Sequence, residues 1–136
     1  MKLRNSTPWL IKVFIRLLVK TLFNNILKRK VKKLAEESQK RLYPDNWIAT
    51  FVEGDGKEFD FGIDYTQCGI VNFLHDQGAP ELAPYMCLLD FPHSRLTRTG
   101  LVRTMTIAEG YKKCDFRFKK GREVKQDWPP NFHQIS

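Results

Sequence analysis

The sequence predicts an α+β domain: a four-stranded antiparallel sheet with helices on one side, preceded by a long N-terminal hydrophobic and basic helix. Three observations carry that expectation. No glycine or proline interrupts Trp9–Leu42, so one long helix fits the run. Two pairs of short β-type stretches, 47–53 with 59–65 and 101–108 with 114–118, are each joined by a short link, which suits hairpins. Between the two pairs lie helical segments rather than another strand, so strands and helices segregate instead of alternating.

The elements follow in order. Thr7-Pro8 supplies an N-cap and a proline at the first helical position. In the helix, Lys12, Arg16, Lys20, Asn24 and Lys28 recur every four residues as one narrow polar stripe, while apolar residues from Trp9 to Leu27 cover the rest. Asn24-Asn25 marks a site for a bend or short break. So wide an apolar arc must be buried, either by packing on the domain or a twin subunit, by lying in an anionic membrane surface, or by spanning a bilayer. The spanning reading is the weakest, because three cations would sit within the span. Lys28–Lys33, KRKVKK, suits a solvated helix face better than a nucleic-acid patch.

Tyr43-Pro44-Asp45-Asn46 ends the helix. Trp47–Glu53 and Phe59–Tyr65 read as strands around the turn Gly54-Asp55-Gly56, with Asp60 and Asp64 facing away from Phe59, Phe61, Ile63 and Tyr65. Thr66 is placed to cap a helix running to Gln77 and stopped by Gly78. Pro80 starts another, ending near Asp90-Phe91-Pro92, and an irregular piece through His93 and Arg98 follows. Leu101–Ala108 and Cys114–Phe118 are the second strand pair, turned at Glu109-Gly110. The tail after Gly121, with Pro129-Pro130, is expected to be extended.

At 136 residues the chain forms one core-bearing domain (43–136) behind a helical arm (1–42). The net charge of +8 is unevenly held. Residues 1–42 carry +10 and the remaining residues −2, so basicity belongs to the arm and a nucleic-acid partner is disfavoured. Three cysteines without a CxxC pair fit reduced thiols in a cytoplasm, with or without attachment to a membrane surface. No small-residue cleavage site follows the apolar stretch, so a signal peptide is not expected. Walker, dinucleotide-binding, GxSxG and HExxH patterns are absent, which disfavours kinases, NAD enzymes, α/β-hydrolases and zincins.

Reactive residue types gather at the expected element ends. Cys68 lies in a helix's opening turn, where amide groups favour a thiolate; the alternative is a buried small hydrophobe. His75 shares that helix face, but seven residues at ~1.5 Å rise each place it ~10 Å away, too far for a Cys–His pair. Cys87 and Asp90 stand one helical turn apart, so Asp90 can orient or protonate a group that a thiol attacks. Cys114 and Glu109 complete a set of three thiols and an acid, which also suits a zinc ion if the fold converges them. Free thiols without metal or cofactor are the expectation here. Arg103 and Arg117, with Asp115 beside the latter, are candidates for holding a substrate carboxylate; an internal ion-pair network with Asp60, Asp64 or Asp115 is the alternative.

The segments FDFGIDYTQCGIVNFLHDQGAPELAPYMCLLDF and TGLVRTMTIAEGYKKCDFRFKKG resemble the L-2-amino-thiazoline-4-carboxylic acid hydrolase family from about Glu53 to Gly121. The specific pieces are D-Y-T-x-C at Asp64–Cys68, C-x-x-D at Cys87–Asp90, R-T-x-T-x-A-E-G at Arg103–Gly110 and C-D-F-R-F at Cys114–Phe118. The resemblance implies hydrolytic opening of a small cyclic isothiourea carboxylate, by cleavage of a C–N bond, with N-carbamoyl-L-cysteine as product. Cys68, Cys87, Asp90, Glu109 and Cys114 would be the catalytic candidates, with Cys68 favoured as nucleophile. Arg103, Arg117 and Asp115 would bind substrate. The alternative is a non-enzymatic small-molecule sensor attached to a membrane or partner by its arm. All seven of Cys68, Cys87, Asp90, Arg103, Glu109, Cys114 and Arg117 are expected around one pocket.

Overall fold

A computed structural model describes residues 8–125, excepting the side chains at 19, 20, 23 and 24. The Thr7 cap and the tail beyond Lys125 lie outside the described residues. Two compact units are present, Met1–Val31 and Lys32–Ser136.

The first unit holds most of helix α1 (Trp9–Ser38), which passes Asn24-Asn25 without a break. The carbonyl of Pro8 accepts the amides of Ile11 and Lys12 at 2.9 and 3.3 Å, closing the first turn. Among the described residues of this unit, Trp9, Leu10, Ile11, Phe14, Ile15, Leu17, Leu18, Leu22 and Ile26 are exposed. Among the described residues, no helix is long and apolar enough to cross a membrane.

The second unit carries the four-stranded antiparallel sheet, in the order β1-β2-β4-β3. Its strands are β1 (Ile48–Glu53), β2 (Phe61–Gln67), β3 (Leu101–Val102) and β4 (Cys114–Phe118). Strand β2 pairs β4 with Phe61 opposite Phe118, Ile63 opposite Phe116 and Tyr65 opposite Cys114. Pleating therefore puts these six on one face and Gly62, Asp64, Asp115 and Arg117 on the other. The apolar face bears a ring series: Phe51 stacks on Phe61, Phe61 on Phe118, and Tyr65 meets Phe116 edge-on at 5.3 Å. Ile48 and Leu101 are the fully buried anchors at its two edges.

The last turn of α1 belongs to this unit. Ala35 is buried, and the Ser38 hydroxyl accepts from the Ala49 amide at 2.9 Å, while Gln39 Nε2 donates to the Ala49 carbonyl. A bulge between Ile48 and Ala49 leaves that edge residue free for these bonds.

Between the strand pairs come α2 (Gly69–Asp76), a 3₁₀ turn (Pro80–Leu82), α3 (Ala83–Leu88) and α4 (Asp90–Thr97). Three local expectations change here. Thr66 is the penultimate residue of β2, and Cys68 itself is the N-cap of α2, in extended conformation. Asp90 opens a helix instead of ending one, and the piece through His93 is helical. Pro92 falls in the first turn of α4, where a missing amide costs nothing. The second strand pair is also not a tight hairpin. β3 stops at Val102, and the chain continues through a 3₁₀ turn, Ile107–Glu109, ended by Gly110 at φ 87°. The reason is Asp115, whose Oδ1 accepts the amides of Thr104 and Met105 at 2.8 and 2.6 Å and whose Oδ2 accepts the Thr104 hydroxyl. These donors go to a side chain instead of a strand ladder.

Candidate active site

The centre is Arg103, the first residue beyond β3. Its guanidinium is only 4% exposed and lies between the rings of Phe91 and Phe116, at 4.9 and 5.2 Å from their centroids. Nη1 donates to Asp90 Oδ2 at 2.5 Å, and Nη2 donates to the Cys87 carbonyl at 3.0 Å. One side chain from beside the sheet thus fastens the joint between α3 and α4. Cys87 and Asp90 stand on different helices, and Arg103 unites them.

Around this joint the three thiols and a phenol come within electrostatic range. Burial pushes the Cys87 thiol up to about 12; Arg103 opposes the shift, while negative charge at Cys114, Cys68 or Asp90 would reinforce it. Burial also raises Cys114, whose sulfur accepts the Ile107 amide at 3.2 Å. Tyr65 is raised by burial and then by the charges of Asp90, Cys114 and Cys68. Burial lifts Asp90 above the usual carboxylate range, more than the neighbouring Arg103 lowers it. Its carboxylate is nevertheless 42% exposed, so it faces solvent on one side while Arg103 holds the other.

Cys68, Cys87, Asp90, Arg103 and Cys114 are thus brought together. Glu109 is engaged locally: its Oε2 accepts the Thr106 hydroxyl at 2.6 Å, and Thr106 Oγ1 accepts the Glu109 amide. Arg117 is elsewhere. It lies on the opposite sheet face and donates to Asp64 Oδ1 at 2.8 Å, while Lys113 donates to Asp64 Oδ2 at 2.6 Å. Burial would raise Asp64, but these two partners hold it below its ordinary value. Asp115 braces the loop beyond Arg103. Both arginines expected to grip a substrate carboxylate are therefore occupied by carboxylates of this chain, Asp90 and Asp64.

Sequence reasoning did not select Tyr65, Phe91 or Phe116. Tyr65 was within reach, since it is the second residue of D-Y-T-x-C and alternates onto the face of Phe61 and Ile63. Phe116, the middle of C-D-F-R-F, carried the same signal, whereas Phe91 had none, because a ring beside a guanidinium looks like any core ring. Among the described residues, no group of three or more His, Cys, Asp or Glu is arranged to hold a metal ion. A separate cavity of about 390 Å³ lies at the C-terminal end of α4, between Ser94, Arg98, Arg122 and Val124, and touches none of these residues.

A family model described as L-2-amino-thiazoline-4-carboxylic acid hydrolase matches residues 11–118 of the 136. Comparison with curated proteins and with solved structures finds no match.

Proposed function

From a chain that belongs to the L-2-amino-thiazoline-4-carboxylic acid hydrolase family, we propose a hydrolase that opens a small cyclic isothiourea carboxylate at the thiol and carboxylate cluster around Arg103. The observation that carries this reading is Asp90: a half-exposed carboxylate, raised by burial, bonded to Arg103 and within electrostatic range of the Cys87 and Cys114 thiols. An acid–base group near a nucleophile is what amidine hydrolysis requires.

We assign the nucleophile to Cys68, the N-cap of α2, where the helix-end amides favour a thiolate. Asp90 takes the Cys68 proton as sulfur bonds to the amidine carbon. The ring C–S bond then breaks, and Asp90 returns the proton to the departing ring sulfur. Water next adds to the same carbon with Asp90 again as base, and the Cys68–carbon bond breaks to restore the thiol. The product is N-carbamoyl-L-cysteine, in which both nitrogens remain on that carbon. This stoichiometry replaces the C–N cleavage expected from the sequence, which would give an S-carbamoyl product instead. Arg103 positions Asp90 and does not touch the substrate.

The test is incubation of the full chain with L-2-amino-thiazoline-4-carboxylate, following free thiol and free amine separately. Thiol release is expected, lost in Cys68→Ser. Intact-mass analysis of wild type should show an adduct of one whole substrate molecule. Amine release without thiol would overturn the C–S route, and release of neither would overturn the hydrolase reading.

A further inference from the structure

We propose that residues 8–33 form a docking helix for an anionic lipid surface, lying in the headgroup layer and not crossing it. The first observation is exposure: Trp9 is 73% and Phe14 66% exposed, and seven further large apolar side chains between Leu10 and Ile26 are exposed with them. A contiguous apolar surface of this extent marks an interaction site. The second is charge. Residues 8–33 contain eight Lys or Arg and no acid.

That combination selects the occupant. A second copy of the helix would bring eight cations against eight with only Glu36 and Glu37, at its C-terminal end, to pair them, so the charge opposes self-association. A nucleic acid would neutralise the cations but leave the apolar side chains in water. An anionic bilayer satisfies both. Residues 9–27 at ~1.5 Å rise give a cylinder of roughly 28 Å, and the step of four residues turns the stripe from Lys12 to Arg16 through only ~40°. The remaining arc is apolar and sinks among the acyl chains, while the stripe snorkels to the phosphates. KRKVKK at 28–33 then lies beside the headgroups. Three cations within the apolar stretch keep the helix at the surface, in line with the lack of any membrane-crossing helix among the described residues.

The experiment is vesicle flotation of the full chain, with phosphatidylcholine alone and with one quarter phosphatidylglycerol. Partition onto the anionic vesicles should exceed that onto neutral ones by more than tenfold and fall severalfold in high salt, since each basic residue near the surface contributes roughly fivefold. Lys12→Glu with Arg16→Glu should reduce anionic partition more than tenfold. Phe14→Ser with Leu18→Ser should reduce it on both vesicle types, with helix content by circular dichroism as the folding control. Equal partition onto both vesicles, or none, overturns the proposal. A lipid-indifferent dimer in light scattering also overturns it and makes a second copy the occupant.

Discussion

Replacing Arg103 by Ala tests whether the cluster is a coupled unit or a chance meeting of side chains. The substitution removes two charge-assisted hydrogen bonds, to Asp90 and to the Cys87 carbonyl, and empties the space between Phe91 and Phe116. Removing one partner of a buried ion pair costs ~3–5 kcal/mol. The open side of Asp90 argues for the lower end, and two lost ring contacts add back ~0.5 kcal/mol each. The expected loss is about 3–4 kcal/mol at pH 7, or roughly 12–16 °C in Tm for a domain of this size. The pH dependence has a fixed sign. Without Arg103 the folded-state pKa of Asp90 rises further above the ordinary 3.8, so protonation favours the folded state. The deficit should be small near pH 4 and grow as pH rises through the folded-state value. Urea unfolding of wild type, Arg103→Ala, Asp90→Asn and the double variant measures both effects. The double variant should recover about 1–2 kcal/mol relative to additivity. Additive losses, or a deficit that does not change with pH, would refute the coupling.

Further outcomes follow from other contacts. Gly100→Ala should cost roughly 3 kcal/mol or more by urea unfolding, because φ is +65° and an added Cβ would meet the Lys119 carbonyl at 1.9 Å. Asp115→Ala should cost about 3 kcal/mol by stranding the donors of Thr104 and Met105, whereas Asp115→Asn, which keeps one acceptor oxygen, should cost about 1 kcal/mol. Burial pushes the Cys87 thiol from an ordinary 9.0 up to about 12, so its contribution is intact below pH 9 and is lost as pH rises toward 12. Cys87→Ala should therefore lose less stability than wild type between pH 9 and 11 in parallel urea titrations. Thiol counting in denaturant should give three free cysteines per chain, and stoichiometric zinc in the same sample would favour a metal site instead.

The sheet was legible in the sequence because its strands alternate. Phe61, Ile63 and Tyr65 against Phe116 and Phe118 state their face by period alone. The long helix was legible for want of any breaker. The shape of the 103–113 loop was not. Thr and Ile in RTMTIAEG favour a strand, and only the three-donor grip of Asp115, from beyond the loop, turns the chain away. The break between α3 and α4 was equally hidden: Leu89 keeps helical dihedrals, and no glycine marks the joint. Within the site, Cys68, Cys87, Asp90, Arg103 and Cys114 were recognisable by type. The facing of Arg117 required the hairpin register, which pairs it with Gly62 and Val102.

The fastening of two helices by Arg103 also bears on the order in which this molecule assembles. The β1–β2 hairpin is local, joined by a seven-residue link in which Asp55 caps the amides of Lys57 and Glu58. Arg103 instead reaches back 13 residues to Asp90 and 16 to Cys87, and its ring partner Phe116 belongs to a strand that must first add beside β2. Loop closure delays that β2–β4 pairing, in which Phe116 meets Ile63 from 53 residues away, relative to the hairpin. A refolding chain would regain most of its ellipticity while the cluster was still open, so protection of the Cys87 and Cys114 thiols from alkylation would trail the spectroscopic signal and report the final docking step alone.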